Sequence, residues 1–173
     1  TGTADRLTGN GADNTFGDGM FDRGADLIAG RGGDDTVKMS IQESGVSADG
    51  GAGSDTIWIS TYGGQASNNI LDFEHAAANT GVFARNTFTG FENVTFYERE
   101  PEVALEFHGN NARNQAVGGE GDDLLDGRGG ADILWGGLGD DTFLVESAGD
   151  LAYEYYDQGN DTVRATASFT LGY

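Results

Sequence analysis

The chain has no cysteine, one proline, two histidines and nine lysine or arginine residues in 173 positions. Without cysteine, no disulfide braces the fold, no thiolate can hold zinc, and no thiol nucleophile is available. His75 and His108 lie in separate segments with no HExxH spacing around either, which argues against a metalloprotease centre. Positive charge is scarcer still: 29 acidic residues face nine basic ones, leaving a net charge of −20. Such a surface repels nucleic acid and anionic lipid, and its natural partner is a cation. No apolar run approaches the roughly 18 residues of a membrane-spanning helix, so no membrane insertion is expected. The N-terminus carries no basic, apolar, small-residue leader pattern.

Glycine is abundant, with 30 copies, and it is not scattered. Residues 118 to 144 read GGEGDDLLD, GRGGADILW, GGLGDDTFL: three nine-residue units, each with a glycine-rich front, an aspartate at place six and an apolar residue at place eight. A period of nine is a supersecondary repeat and must be read as one before local propensity is considered. The glycines permit backbone shapes closed to other residues and let carbonyl oxygens converge. Asp123, Asp132 and Asp141 add hard anionic oxygens at the close of each turn. Oxygen donors without thiol and almost without imidazole suit Ca²⁺ or Mg²⁺, and a flexible, carbonyl-rich cage favours the larger Ca²⁺.

The register extends both ways. Upstream, GNNARNQAV keeps the length but has Asn114 at place six and Ala112 in place of a glycine. Downstream, VESAGDLAY keeps Asp150 without the glycines, and QGNDTVR brings Asp161 after a two-residue insertion. A second block near the start carries Asn14, Asp26, Asp35 and Asp55 at place six, with a degenerate repeat around Ser44. Between the blocks there is no nonapeptide, only short β-type runs, ILDF at 70–73 and NVTFYE at 93–98, with Pro101 marking a turn or edge. The expected division is a repeat block at 1–58, a calcium-poor segment at 59–108 that continues the stack, and a repeat block with capping strands at 109–173. A separate small β subdomain is the alternative for the middle.

Place eight holds Phe16, Ile28, Val37, Ile57, Leu125, Leu134, Phe143 and Val163. Three strand residues with the middle one inward imply that two repeats make one coil, with coils stacking as parallel strands. Turns two repeats apart then lie on the same edge with the ion between them. Asp123 should stack on Asp141, and Asp132 on Asp150, while Asp123 and Asp132 lie on opposite edges. One buried apolar side chain per nine residues cannot offset the entropy of ordering them, so folding is expected to require the ion.

The units GGEGDDLLD, GRGGADILW, GGLGDDTFL and GGAGSDTIW closely resemble the hemolysin-type calcium-binding repeats of RTX (repeats-in-toxin) proteins. TGFENVTF at 89–96 and residues 141–172 resemble segments found between and after such blocks. The resemblance implies an all-β, right-handed parallel β-roll or β-helix solenoid, several bound Ca²⁺ ions, export of a larger bacterial parent by type I secretion, and folding outside the cell. It also implies a ligand set of place-six side chains with main-chain carbonyls from places one, two and four. Carried over, the carbonyl ligands are Gly30, Arg31, Gly33, Gly50, Gly51, Gly53, Gly118, Gly119, Gly121, Gly127, Arg128, Gly130, Gly136, Gly137 and Gly139. The side-chain ligands are Asp26, Asp35, Asp55, Asp123, Asp132, Asp141, Asp150 and Asp161. Asn14 and Asn114 stand at place six where the pattern has aspartate.

The expected function is therefore a non-catalytic calcium-binding module of a secreted or cell-surface protein, structural or secretion-assisting, with the chain read as a fragment. One alternative is a polysaccharide-binding module of an adhesin or matrix protein, with Tyr153, Tyr155 and Tyr156 as a stacking surface. Another is an accessory module of a secreted enzyme whose catalytic domain lies elsewhere. Trp58 and Trp135 share place nine and are expected to cover a flank of the roll.

Overall fold

A computed structural model of the chain describes residues 4–17, 25–40, 45–60, 69–97 and 103–172; Ser44 and Pro101 lie outside them. The chain winds in coils of two strands. The first three coils are β1 (Arg6–Thr8) with β2 (Thr15–Phe16), β3 (Leu27–Gly32) with β4 (Thr36–Ser40), and β5 (Ser47–Ala52) with β6 (Thr56–Ser60). The fourth is longer: β7 (Asn69–Asp72), two 3-10 turns at Ala76–Ala78 and Gly81–Phe83, β8 (Thr87–Thr89) and β9 (Asn93–Tyr97). The last four are β10 (Leu105–His108) with β11 (Gln115–Gly119), β12 (Leu124–Asp126) with β13 (Ile133–Gly137), β14 (Thr142–Val145) with β15 (Leu151–Tyr153), and β16 (Thr162–Ala165) with β17 (Thr170–Gly172). The fold is an all-β solenoid in which every strand pairing is parallel, and no α-helix occurs among the described residues.

One face is a continuous eight-stranded sheet, β2-β4-β6-β9-β11-β13-β15-β17. The other is split into β1-β3-β5-β8 and β7-β10-β12-β14-β16. The split falls where the nonapeptide lapses. There the Thr80 amide donates to the Ile70 carbonyl (3.1 Å), the Ile70 amide to Thr80 Oγ1 (3.2 Å), and the Asp72 amide to Asn79 Oδ1 (2.8 Å). The segment after β7 thus folds back along it before the chain rejoins the stack at β8.

The alternation expected at place eight holds through the stack. Phe16, Ile28, Val37, Ile57, Leu125, Leu134 and Phe143 are buried, and Val163 is half-buried against them. The fourth coil and its neighbour β10 thicken this thin core with phenylalanine. Phe73 meets Phe107 edge-on with centroids 5.2 Å apart, Phe88 meets Phe91 at 6.3 Å, and Phe83 tilts on Phe96 at 6.1 Å. Trp58 and Trp135 lie half-buried on the outer side of the eight-stranded face, where each stacks on a tyrosine, Tyr97 at 5.7 Å and Tyr153 at 5.0 Å. Tyr153 therefore flanks the roll rather than capping its end, while Tyr155 and Tyr156 are exposed.

Two predictions follow from this packing. Leu134 is fully buried and lies in register between Ala116 and Ala152, so little can collapse into the space it would leave. Leu134→Ala should cost about 2–5 kcal/mol, read from chemical denaturation in saturating calcium. His108 lies between Asp126 Oδ2 (3.0 Å from Nδ1) and Glu106 Oε1 (2.9 Å from Nε2); the bond to Asp126 foremost, then that to Glu106, outweighs burial and holds its pKa above 6.5. The charged imidazole therefore stabilises the fold fully below pH 6.5, and the contribution is lost as pH rises through the raised folded value. Melting in saturating calcium should show a downward step as pH rises above 6.5 that His108→Gln removes; an identical profile in the variant would refute the assignment.

Candidate metal centre

Each glycine-rich turn is shaped by two different demands on its residues. At places two and four the backbone enters the left-handed region: Gly51 (φ 106°), Gly119 (129°) and Gly137 (115°) at place two, Gly33 (95°), Gly53 (153°), Gly130 (127°) and Gly139 (116°) at place four. Arg31 (83°) and Arg128 (61°) adopt the same shape at place two despite their side chains. Place one is glycine for want of room. A Cβ on Gly30 would collide with Asp35 Oδ2 and the Gly50 carbonyl, and one on Gly118 with Asp123 Oδ2 and the Gly136 carbonyl. A Cβ on Gly127 would strike Asp132 Oδ2, and one on Gly136 both Asp141 Oδ2 and Glu154 Oε1. The missing side chains therefore leave small spaces in which a carboxylate oxygen and main-chain carbonyls converge.

The place-six side chains stack in two columns, one per edge. Along the edge that leads into the eight-stranded face, the Asn14 amide donates to Asp35 Oδ1 (2.7 Å), the Asp35 amide to Asp55 Oδ1 (2.7 Å) and the Asp55 amide to Glu92 Oε2 (2.9 Å). The column continues with the Asn114 amide on Asp132 Oδ1 (2.8 Å) and the Asp132 amide on Asp150 Oδ1 (3.1 Å). On the opposite edge the Asp5 amide donates to Asp26 Oδ1 (2.9 Å), the Leu105 amide to Asp123 Oδ1 (2.7 Å), the Asp123 amide to Asp141 Oδ1 (2.7 Å) and the Asp141 amide to Asp161 Oδ1 (3.1 Å). Asp123 with Asp141 and Asp132 with Asp150 thus stack on opposite edges, as a coil of two repeats requires.

One oxygen of each carboxylate is used in this ladder, and the other decides the chemistry. Oδ2 of Asp26, Asp35, Asp55, Asp132 and Asp141 is buried and accepts no hydrogen bond among the described residues, and Glu154 Oε2 is the same. An ionised oxygen buried without a partner is strongly unfavourable, so such atoms demand a proton or a cation. Burial, then the charge of Asp150, pushes Asp132 up to about 7; burial and Asp161 do the same for Asp141, and burial with Asp161 and Asp141 for Glu154. Asp55 and Glu92 are also raised, chiefly by burial. Oxygen atoms of Asp141, Glu154 and Asp161 all lie within 4.8 Å of one another, a spacing that one ion can span. The donor set of carboxylates and carbonyls fits Ca²⁺.

Other expected positions are closed by the chain itself. Asn14 Oδ1 accepts the Asn10 amide (3.0 Å). Asn114 Oδ1 accepts the Asn110 amide (2.9 Å), and its Nδ2 donates to the Glu92 carbonyl (2.9 Å). Asp150 Oδ2 accepts the amides of Glu146 (3.1 Å) and Ser147 (2.9 Å), so its glycine-poor turn folds onto the carboxylate that an ion would need. Two acidic residues escaped the sequence reading. Glu92 holds the place-six role opposite Asp55, signalled only by its phase two residues before the buried Val94. Glu154 stands at place one, directly after Tyr153, where the pattern offers a carbonyl and not a carboxylate.

Residues 22–38, 47–58 and 108–143 match the family model of the RTX calcium-binding nonapeptide repeat, in four copies. No curated protein matches the chain.

Proton and calcium should compete for the buried oxygens. With the folded pKa of Asp132, Asp141 and Glu154 raised, the ion-free fold is most favoured below about pH 4 and loses that stability as pH rises to about 7. Calcium relieves the penalty on the ionised form, so calcium affinity should climb between about pH 5 and pH 7 and level off above. Titrations of calcium-induced folding at a series of pH values check this; a flat affinity across that interval would contradict it. Glu154→Gln should raise the calcium needed by the last coils roughly tenfold, since one anionic ligand is lost.

Proposed function

The chain carries RTX calcium-binding repeats, and from that premise we propose that it is a calcium-dependent β-roll module acting outside the cell as a structural, secretion-assisting part of a type I secreted protein. The carrying observation is the set of buried Oδ2 atoms of Asp35, Asp55, Asp132 and Asp141, which have no hydrogen-bond donor among the described residues and face the spaces left by Gly30, Gly50, Gly127 and Gly136. In this reading the ligands are the Oδ2 atoms of Asp26, Asp35, Asp55, Asp123, Asp132 and Asp141, with Asp161 and Glu154 beside Asp141. Main-chain carbonyls of the turns at 30–33, 50–53, 118–121, 127–130 and 136–139 complete the cages. When bound, calcium supplies the positive charge that the stacked carboxylates lack. The chain's residues position the oxygens, exclude water from them and hold the coils in register. The turns at 1–58 and 109–173 form two calcium-bearing blocks, and 59–108 is the calcium-poor link between them.

The compartment follows from affinity. Extracellular calcium modules bind at about 10⁻⁴ to 10⁻³ M, and turns of that strength would be loaded by extracellular calcium and empty in the cytosol. A chain of net charge −20 with its cations removed resists compaction, which suits passage through a secretion channel before folding.

A second reading has one observation in its favour. A groove of about 330 Å³ on the eight-stranded face is lined by Trp135, Tyr153 and Tyr155 with Gln115 and Gln158, a combination of aromatic surface and amides that suits a neutral sugar. Retention of the calcium-loaded protein on polysaccharide, abolished by Trp135→Ala, would support it.

Circular dichroism tests the main reading. In chelator the β signal of the glycine-rich blocks should be lost, and millimolar Ca²⁺ should restore it, whereas Mg²⁺ should do so poorly because it demands tight octahedral geometry and keeps its waters. A spectrum unchanged by exhaustive chelation, or equal refolding midpoints in the two ions, would sink the proposal.

A further inference from the structure

Besides its place-two carbonyl, Arg128 brings a side chain that pairs internally with acidic residues in the middle of the stack. Nη2 donates to Asp72 Oδ2 (2.7 Å), and Nη1 donates to Asp72 Oδ1 (3.0 Å), Glu74 Oε2 (3.1 Å) and the Gly109 carbonyl (2.8 Å). These acceptors come from the fourth and fifth coils, and Arg128 itself belongs to the sixth. They are carboxylates and a place-one carbonyl, the same kinds of donor that surround the spaces in the glycine-rich turns.

We propose that the Arg128 guanidinium is a resident cation, seated where the fourth, fifth and sixth coils meet in the place that a calcium ion takes elsewhere, and that it thereby decides that this junction binds no ion. The inference rests on the reading of the other turns as calcium sites. The turn at Gly109–Asn114 lacks the ordinary place-six carboxylate, so an ion at this junction would rest on Asp72, Glu74 and the Gly109 carbonyl, the acceptors that the guanidinium occupies. That turn has Ala112 where place four is glycine and a neutral amide at place six, and Asn114 spends that amide on Asn110 and the Glu92 carbonyl. The opposing carboxylate, Asp72, is almost wholly buried, accepts the amides of Glu74 and His75, and still needs a full positive charge. Arginine provides it with a bidentate fork. A covalently attached cation is present at any calcium concentration, so the link between the two blocks stays closed where the blocks themselves respond to the ion. The left-handed backbone of Arg128, φ 61°, is the conformation that glycine supplies at place two in three other turns. The side chain is retained there against that preference.

The test is a count of ions. Arg128→Gly restores the glycine found at place two in three other turns, so the turn keeps its backbone. In saturating calcium the variant should bind one more ion per chain than the native protein, by equilibrium dialysis with elemental analysis. At limiting calcium it should melt below the native protein, and saturating calcium should reverse the deficit. Arg128→Lys, which keeps the charge, should bind the native number. Asp72→Asn with Arg128 in place should lower the melting point at limiting calcium and leave the count unchanged. Equal counts in Arg128→Gly and the native protein would overturn the proposal, and so would loss of an ion in Asp72→Asn. A native chain that binds no calcium would fail the underlying reading instead, so the two failures are distinct.

Discussion

A carboxylate that is half used controls this molecule. Each place-six aspartate gives one oxygen to a main-chain amide in the neighbouring coil, and that bond fixes the spacing of the turns. In the turns of Asp35, Asp55, Asp132 and Asp141 the second oxygen is then buried by the same stacking, in a space left by glycine, with no donor to it among the described residues. Stacking thus creates the charge problem that only a cation or a proton resolves. The excess of acid over base in the sequence means that few side-chain cations exist to do so. The fold and its dependence on an ion have the same origin.

The turns that escape this problem show the alternatives available. At Asp150 the missing glycines let the turn tighten until two amides reach Oδ2. At Asn114 the anion is removed and its amide becomes a donor. At Asp72 an arginine is brought in. Opposite Asp26, the equivalent position in the third coil is the buried Val46, and in the fifth coil it is Leu105, so there the polar group has been replaced by an apolar one. Asp72 and Leu105 lie between the two repeat blocks, where Phe73, Phe83, Phe88, Phe91, Phe96 and Phe107 supply buried aromatic area. Apolar burial and internal hydrogen bonds do there what the ion does in the blocks.

The nonapeptide period was enough to read the solenoid, the inward row and the stacking of Asp123 on Asp141, because each depends on residue type at fixed spacing. Glu92 was harder to see, since its turn is short and its only clue is phase relative to Val94. Glu154 was hidden by the two-residue insertion before Asp161, which displaces the register at the point where its carboxylate enters. Which acids pair with Arg128 could not be read. Asp72 lies 56 residues away, in a segment without the repeat, and only the parallel alignment of β7, β10 and β12 brings it near.

The continuous eight-stranded face gives the ladder a further property. Along that edge every place-six amide from Asn14 to Asp55 is held by the acid of the next coil, and the same pattern resumes from Asn114 to Asp150. The Asn114 amide group, bonded to the Glu92 carbonyl, and the Gln115 amide, bonded to the same oxygen at 3.2 Å, carry the column across the interval between. A coil that loses its ion weakens the acceptor on which its neighbour's amide depends. Stability in such a stack is a sum of repeat and nearest-neighbour terms, and here the neighbour term passes through the liganding side chain itself. Ion binding at one turn therefore preorganises the next, and the coupling runs by contact from coil to coil without any change in the strands that carry it.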